Sequence, residues 1–145
     1  MANSAKRVNQ ILENLKGKRV IQINDISSIA ETKGKSELIP NVGAYLDIDS
    51  QQVLATIRWM IQKSSLKQDM YLIGEPGPYR RHLALLYCQL LGREVEYVRL
   101  SKDVTDSDLK QRKEIINKSV VYVDQACVRA ALYGRILILD GIEVN

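Results

Sequence analysis

The chain has 145 residues, of which 46% are hydrophobic and 26% charged, with a formal net charge of +4. Those values suit one soluble globular domain with its own core. No apolar run approaches eighteen residues, which excludes a transmembrane helix. The two cysteines, Cys88 and Cys127, fit neither a zinc-ligand spacing nor a disulfide framework, and point to a reducing compartment.

The charge is localised. Residues 1–19 hold Lys6, Arg7, Lys16, Lys18 and Arg19 against a single acid, Glu13, while the remainder of the chain balances. A nucleic-acid-binding face needs basic residues clustered on the folded domain with aromatics among them. The sequence offers no such patch, so nucleic acid is not an expected partner. Val8, Ile11, Leu12 and Leu15 form an i, i+3, i+4, i+7 stripe ended by Gly17, which predicts a basic amphipathic helix. Such a helix is a candidate import segment for an organelle; the plainer reading is a solvated first helix.

"VIQINDI", residues 20–26, alternates as a half-buried strand does, and residues 27–45 read as loop. Within that loop, Gly34-Lys35-Ser36 mimics the tail of a phosphate-binding motif. Ile29 stands where its first glycine belongs, and no apolar helix directly follows. Asp49 or Ser50 can cap a helix over 51–63 with Val53, Leu54, Ile57, Met60 and Ile61 as its apolar face. Residues 70–73 predict a short buried strand. The helix over 80–91 is apolar almost all round and ends at Gly92. Residues 95–100 alternate as a strand, and Thr105 and Asp108 have capping-box spacing ahead of a charged helix. A short apolar helix ends at Gly134, and the aliphatic run "RILILD" predicts a strand covered on both faces. Alternating strands and helices predict a parallel α/β sheet whose ligands bind beyond the carboxyl ends of the strands, where Gly74 and Asp140 stand.

Gly74-Glu75-Pro76-Gly77-Pro78-Tyr79-Arg80-Arg81 occupies the strand–loop–helix position of a phosphate-binding loop. Both early glycines are present. Tyr79 stands for the third glycine and adds a Cβ where backbone meets phosphate. Arg80 replaces the lysine and keeps its charge, while Arg81 replaces the Ser or Thr hydroxyl that binds Mg²⁺. The aliphatic strand ends at Asp140, which can serve as the metal carboxylate. Gly141 takes the place of the general-base glutamate, and the nearest acid is Glu143. His82, the single histidine, reads as a solvated helix-edge residue, and both cysteines as core residues.

The stretches "YLIGEPGPYRRHLALLYCQLLGREVEYVRLSKDVTDSDLKQRKEI" and "DQACVRAALYGRILILDGIE" resemble the dynein-related branch of the AAA+ ATPases. The resemblance implies a P-loop NTPase-like three-layer sandwich with a parallel sheet. By their patterning residues 1–44 read as an N-terminal helix, strand and linker, and the resemblance implies residues 45–145 as the N-terminal part of a AAA+ module that stops after the Walker B strand. Strands at 70–73, 95–100 and 136–139 are expected, with a further strand from beyond Asn145 between the first and third. ATP is the implied cofactor, held by residues 74–81, with Mg²⁺ at Asp140 and Asp140 and Glu143 as the catalytic acids. Other AAA+ modules or subunits in a ring are the implied partners, and the mitochondrion the implied compartment, with the cytoplasm as the alternative. The altered residues predict that hydrolysis at this site is impaired, leaving enzymatic activity open. The alternatives are a non-catalytic assembly module and a phosphotransferase, the latter without a recognisable acceptor site.

Overall fold

A computed structural model describes residues 9–15, 18–23, 26–31, 36–42 and 45–142. It divides into two compact units, one up to Arg93 and the other from Glu94 onward.

The first unit begins with three strands, β1 (Asn9–Leu15), β2 (Lys18–Ile23) and β3 (Ile26–Glu31), in an antiparallel sheet of that order. The pairing places Ile11 opposite Val20 and Val20 opposite Ile29. The predicted amphipathic helix is therefore a strand over Asn9–Leu15, and the predicted loop supplies β3. The reason is tertiary: so short a helix is marginal in water unless packed, whereas an adjacent strand satisfies the backbone donors and acceptors directly. Val8, Lys16, Gly17, Gly34 and Lys35 lie outside the described residues. Ser36, the last residue of the Gly-Lys-Ser mimic, sits at a turn, with its Oγ accepting from the Leu38 N–H at 3.3 Å.

Helix α1 (Gln51–Ser65) buries Val53, Ile57, Met60 and Ile61, the face its spacing predicts, and Ser50 stands at its N-cap. Helix α2 (Pro78–Leu91) buries Leu83, Leu86, Tyr87, Cys88 and Leu91 and ends at Gly92 in the left-handed conformation. The two helices pack on each other and on β3. A hydrogen bond with Ser64 ties Tyr87 across to α1, while burial pushes the Tyr87 phenol up. The Gln89 side chain accepts from the Val42 N–H at 2.9 Å and so anchors the segment before α1 on α2.

The second unit holds β4 (Val95–Arg99), a one-turn α3 (Asp106–Leu109), the hairpin β5 (Gln111–Ile116) and β6 (Ser119–Asp124), α4 (Ala126–Tyr133) and β7 (Ile136–Asp140). Strands β4 and β7 pair in parallel, from Val95 opposite Ile136 to Arg99 opposite Asp140. Helix α4 lies in the crossover and packs on both. The expected α/β class and parallel pairing are present, as a sheet of two strands.

Three expectations are corrected here. Residues 70–73 form no strand, and Tyr71 and Ile73 are 57% and 82% exposed. A strand exists only where a neighbour completes its ladder, and none does so among the described residues. The charged helix after Thr105 is cut to one turn. Its capping box is real, with the Thr105 N–H donating to Asp108 at 3.0 Å. Beyond it, however, the sequence has no apolar stripe for a helix to bury. The β-branched run Ser119–Asp124 pairs with it instead, through Asn117 and Lys118, whose φ values of 52° and 64° suit a two-residue hairpin turn. Finally, the residues of β7 are only partly covered, and Leu139 is 42% exposed.

Burial pushes the Cys88 thiol up to about 12. At pH 8 that leaves roughly a thousandfold less thiolate than an ordinary cysteine has. In the native chain a disulfide reagent should therefore modify partly exposed Cys127 first, with Cys88 reacting only on unfolding; peptide mass mapping of the labelled sites checks this.

Candidate functional site

The predicted site residues fall into two groups, residues 74–81 in the first unit and Asp140 in the second. Glu143 lies outside the described residues.

The loop turns into α2 at Gly77, whose φ of 151° is strained for any residue carrying a Cβ. Pro78 follows as the first helical residue, where a missing N–H costs nothing. Gly74, Glu75, Pro76, Gly77, Pro78, Tyr79 and Arg81 are all exposed, and Arg80 is partly covered. Arg80 folds its stem back over the loop: a Cβ on Gly74 would lie 3.5 Å from its Cδ. The first turn of α2 contains no acid. It contains Arg80 and Arg81 instead, with His82 next. The His82 ring is not merely solvated. It stacks on Tyr45 with centroids 5.0 Å apart and planes 8° from parallel. Helix starts carry partial positive charge and ordinarily attract acids, so this composition is electrostatically inverted.

The second group is built on the β4–β7 pair. At the entry to β7, Arg135 donates to Glu94 at 2.8 Å and to Glu96 at 2.6 Å, and Arg129 from α4 donates to Glu96 at 2.9 Å. The Arg129 hydrogen bonds hold the Glu96 carboxyl below the usual carboxylate range, against the opposing effect of its burial, with Arg135 adding to them. At the exit, the Leu100 N–H donates to the Asp140 carbonyl at 2.7 Å. The Tyr97 hydroxyl donates to the Asp140 carboxylate. Tyr97 lies opposite Ile138, so Asp140 is its diagonal neighbour on the same face. Gly141 follows with φ 90°, and a Cβ there would sit 2.9 Å from the Leu100 carbonyl oxygen.

Sequence reasoning found Asp140 and Gly141 but missed Tyr97, because only the strand register brings tyrosine and aspartate together. It also missed the Tyr45–His82 stack, whose partners are far apart in sequence. The Glu96 network was equally hidden, since "EVEYV" reads as plain alternation.

Because the Glu96 carboxyl is held low by folding, its stabilising contribution is complete above about pH 4.3, the ordinary glutamate value. It is lost as pH falls through the lower folded value. Glu96→Gln should cost about 1–3 kcal/mol at neutral pH and flatten the acid limb of a stability profile, measured by amide exchange in β4 and β7 between pH 3 and 7.

Residues 69–145 match the AAA domain of the dynein-related subfamily. The chain is also similar to von Willebrand factor A domain-containing protein 8 of Mus musculus, with 46% identity over 123 residues. That alignment covers 85% of this chain and 6% of the relative, so the chain spans a small part of that protein's length. No solved structure matches the chain. Among the described residues, no helix is long and apolar enough to cross a membrane. AAA domains carry the P-loop NTPase fold and are associated generally with nucleotide and with assembly. By its match over more than half its length, the chain belongs to the dynein-related subfamily of AAA domains.

Proposed function

We propose that residues 74–81 bind nucleotide, ATP in particular, weakly and without hydrolysis, inside a module that assembles with other AAA modules. The observation that carries this is the inverted first turn of α2. Arg80 and Arg81, with His82 adjoining, stand where the helix already presents positive charge, and that first turn contains no acid of its own. Cations at a helix start favour a phosphate there. Gly77 keeps the backbone turn open, and the Arg80 stem lies over Gly74, which puts its charge at the loop.

Neither group of expected site residues, taken by itself, fits a magnesium ion. Arg81 stands where the hydroxyl ligand belongs, and its charge repels a cation. The Asp140 carboxylate already accepts a hydrogen bond from Tyr97. With Gly141 in place of the general base, both the positioning and the electrostatics of phosphoryl transfer are missing. ATP-driven remodelling by a larger protein would then rely on other sites, with this one serving binding or assembly. Tyr71 and Ile73, exposed ahead of the loop, favour the second reading, a non-catalytic assembly surface.

Titration calorimetry with ATP should show weak binding that depends little on Mg²⁺. Arg80→Ala should abolish the signal, and Arg81→Ala should weaken it without abolishing it. Robust Mg²⁺-dependent turnover lost in Asp140→Asn would refute non-hydrolytic binding.

We also propose that residues 1–19 direct mitochondrial entry, on the strength of their localised positive charge and not of a helix, since Asn9–Leu15 is a strand. A fluorescent reporter carrying residues 1–30 should enter mitochondria; uniform cytosolic fluorescence would end this assignment.

A further inference from the structure

We infer that Tyr97, Leu100, Asp140 and Gly141 form a strand-end clasp that commits the Asp140 carboxylate to the sheet and closes position 141 to any side chain, resting on the reading of this site as non-hydrolytic. Three contacts converge within one turn of chain. The Tyr97 hydroxyl, from the middle of β4, takes the carboxylate of Asp140 on the adjacent strand. The Leu100 N–H takes the Asp140 carbonyl at 2.7 Å, continuing the pairing one residue past Arg99. Gly141 then turns with φ 90°, bringing its Cα so near the Leu100 carbonyl that a Cβ would fall 2.9 Å from the oxygen.

The last contact is with backbone, which cannot swing aside as a flexible side chain would. Position 141 therefore excludes a side chain twice over, by its positive φ and by the carbonyl beside it. The absence of a glutamate there is thus part of the strand-end geometry. Putting one back by a single substitution must open the clasp before it can present a base. Tyr97 works in the same direction. Its hydroxyl orients Asp140 along the sheet edge, making it a positioning residue whose loss removes a hydrogen bond from the carboxylate without removing the carboxylate.

Amide hydrogen exchange in the full 145-residue chain tests this, read at the Leu100 N–H and at the β4–β7 ladder. Gly141→Ala and Gly141→Glu should each speed exchange about five- to thirty-fold, and Gly141→Glu should gain no Mg²⁺-dependent ATP turnover. Tyr97→Phe, a milder change that leaves the backbone untouched, should speed Leu100 exchange on the order of ten-fold. Either Gly141→Glu with wild-type exchange or Tyr97→Phe with unchanged Leu100 protection would overturn the clasp. Turnover by the wild-type chain would instead fail the non-hydrolytic reading, a separate result because it is read by phosphate release and not by exchange.

Discussion

Glu96 is the only buried charged residue among those described, and the second unit is organised around satisfying it. A carboxylate withdrawn from water is costly unless cations and donors surround it. Arg129 and Arg135 supply both, from α4 and from the first residue before β7. That pairing fastens the crossover helix to β4 and fixes where β7 begins. With Ile136 set opposite Val95, the register carries through to Arg99 opposite Asp140. The position of the candidate acid at one end of the strand pair thus depends on a neutralised acid at the other. The same network shows why its sequence signal is weak: the two arginines and two glutamates are separated by over thirty residues, and only pairing of the strands unites them.

The exit of the same strand pair illustrates a different economy. The resemblance led to the expectation of a metal carboxylate at Asp140, and its immediate neighbours give it structural work. Tyr97 and Leu100 engage its side chain and its backbone, and Gly141 presses against the Leu100 carbonyl. In the first unit the balance runs the other way. The loop into α2 keeps its glycines, its proline start and a cluster of cations, features that favour an anion at a helix N-terminus.

What the sequence determined by itself was everything set by local stereochemistry and by burial of one face. The apolar spacing of α1 and α2, the left-handed ends at Gly92 and Gly134 and the Thr105–Asp108 capping box all follow from a few neighbouring residues. The motif order around residues 74–81 and Asp140 was sufficient to identify the family. Tertiary structure decided what depends on a partner strand. Asn9–Leu15 carries a helical stripe but pairs with Lys18–Ile23, and Gln111–Ile116 looks like a charged helix but pairs with Ser119–Asp124. Residues 70–73 have strand composition but no strand neighbour among the described residues. The Tyr97–Asp140 and Glu96–Arg129 contacts likewise belong to register, which no local pattern encodes. A helix closes its hydrogen bonds within itself, whereas a strand borrows them from elsewhere in the chain. That difference is why helix ends were readable from the residues alone, as were the strand-like runs at 95–100 and 136–139, whereas which strands pair, and which side chains they bring together, was settled only by the fold.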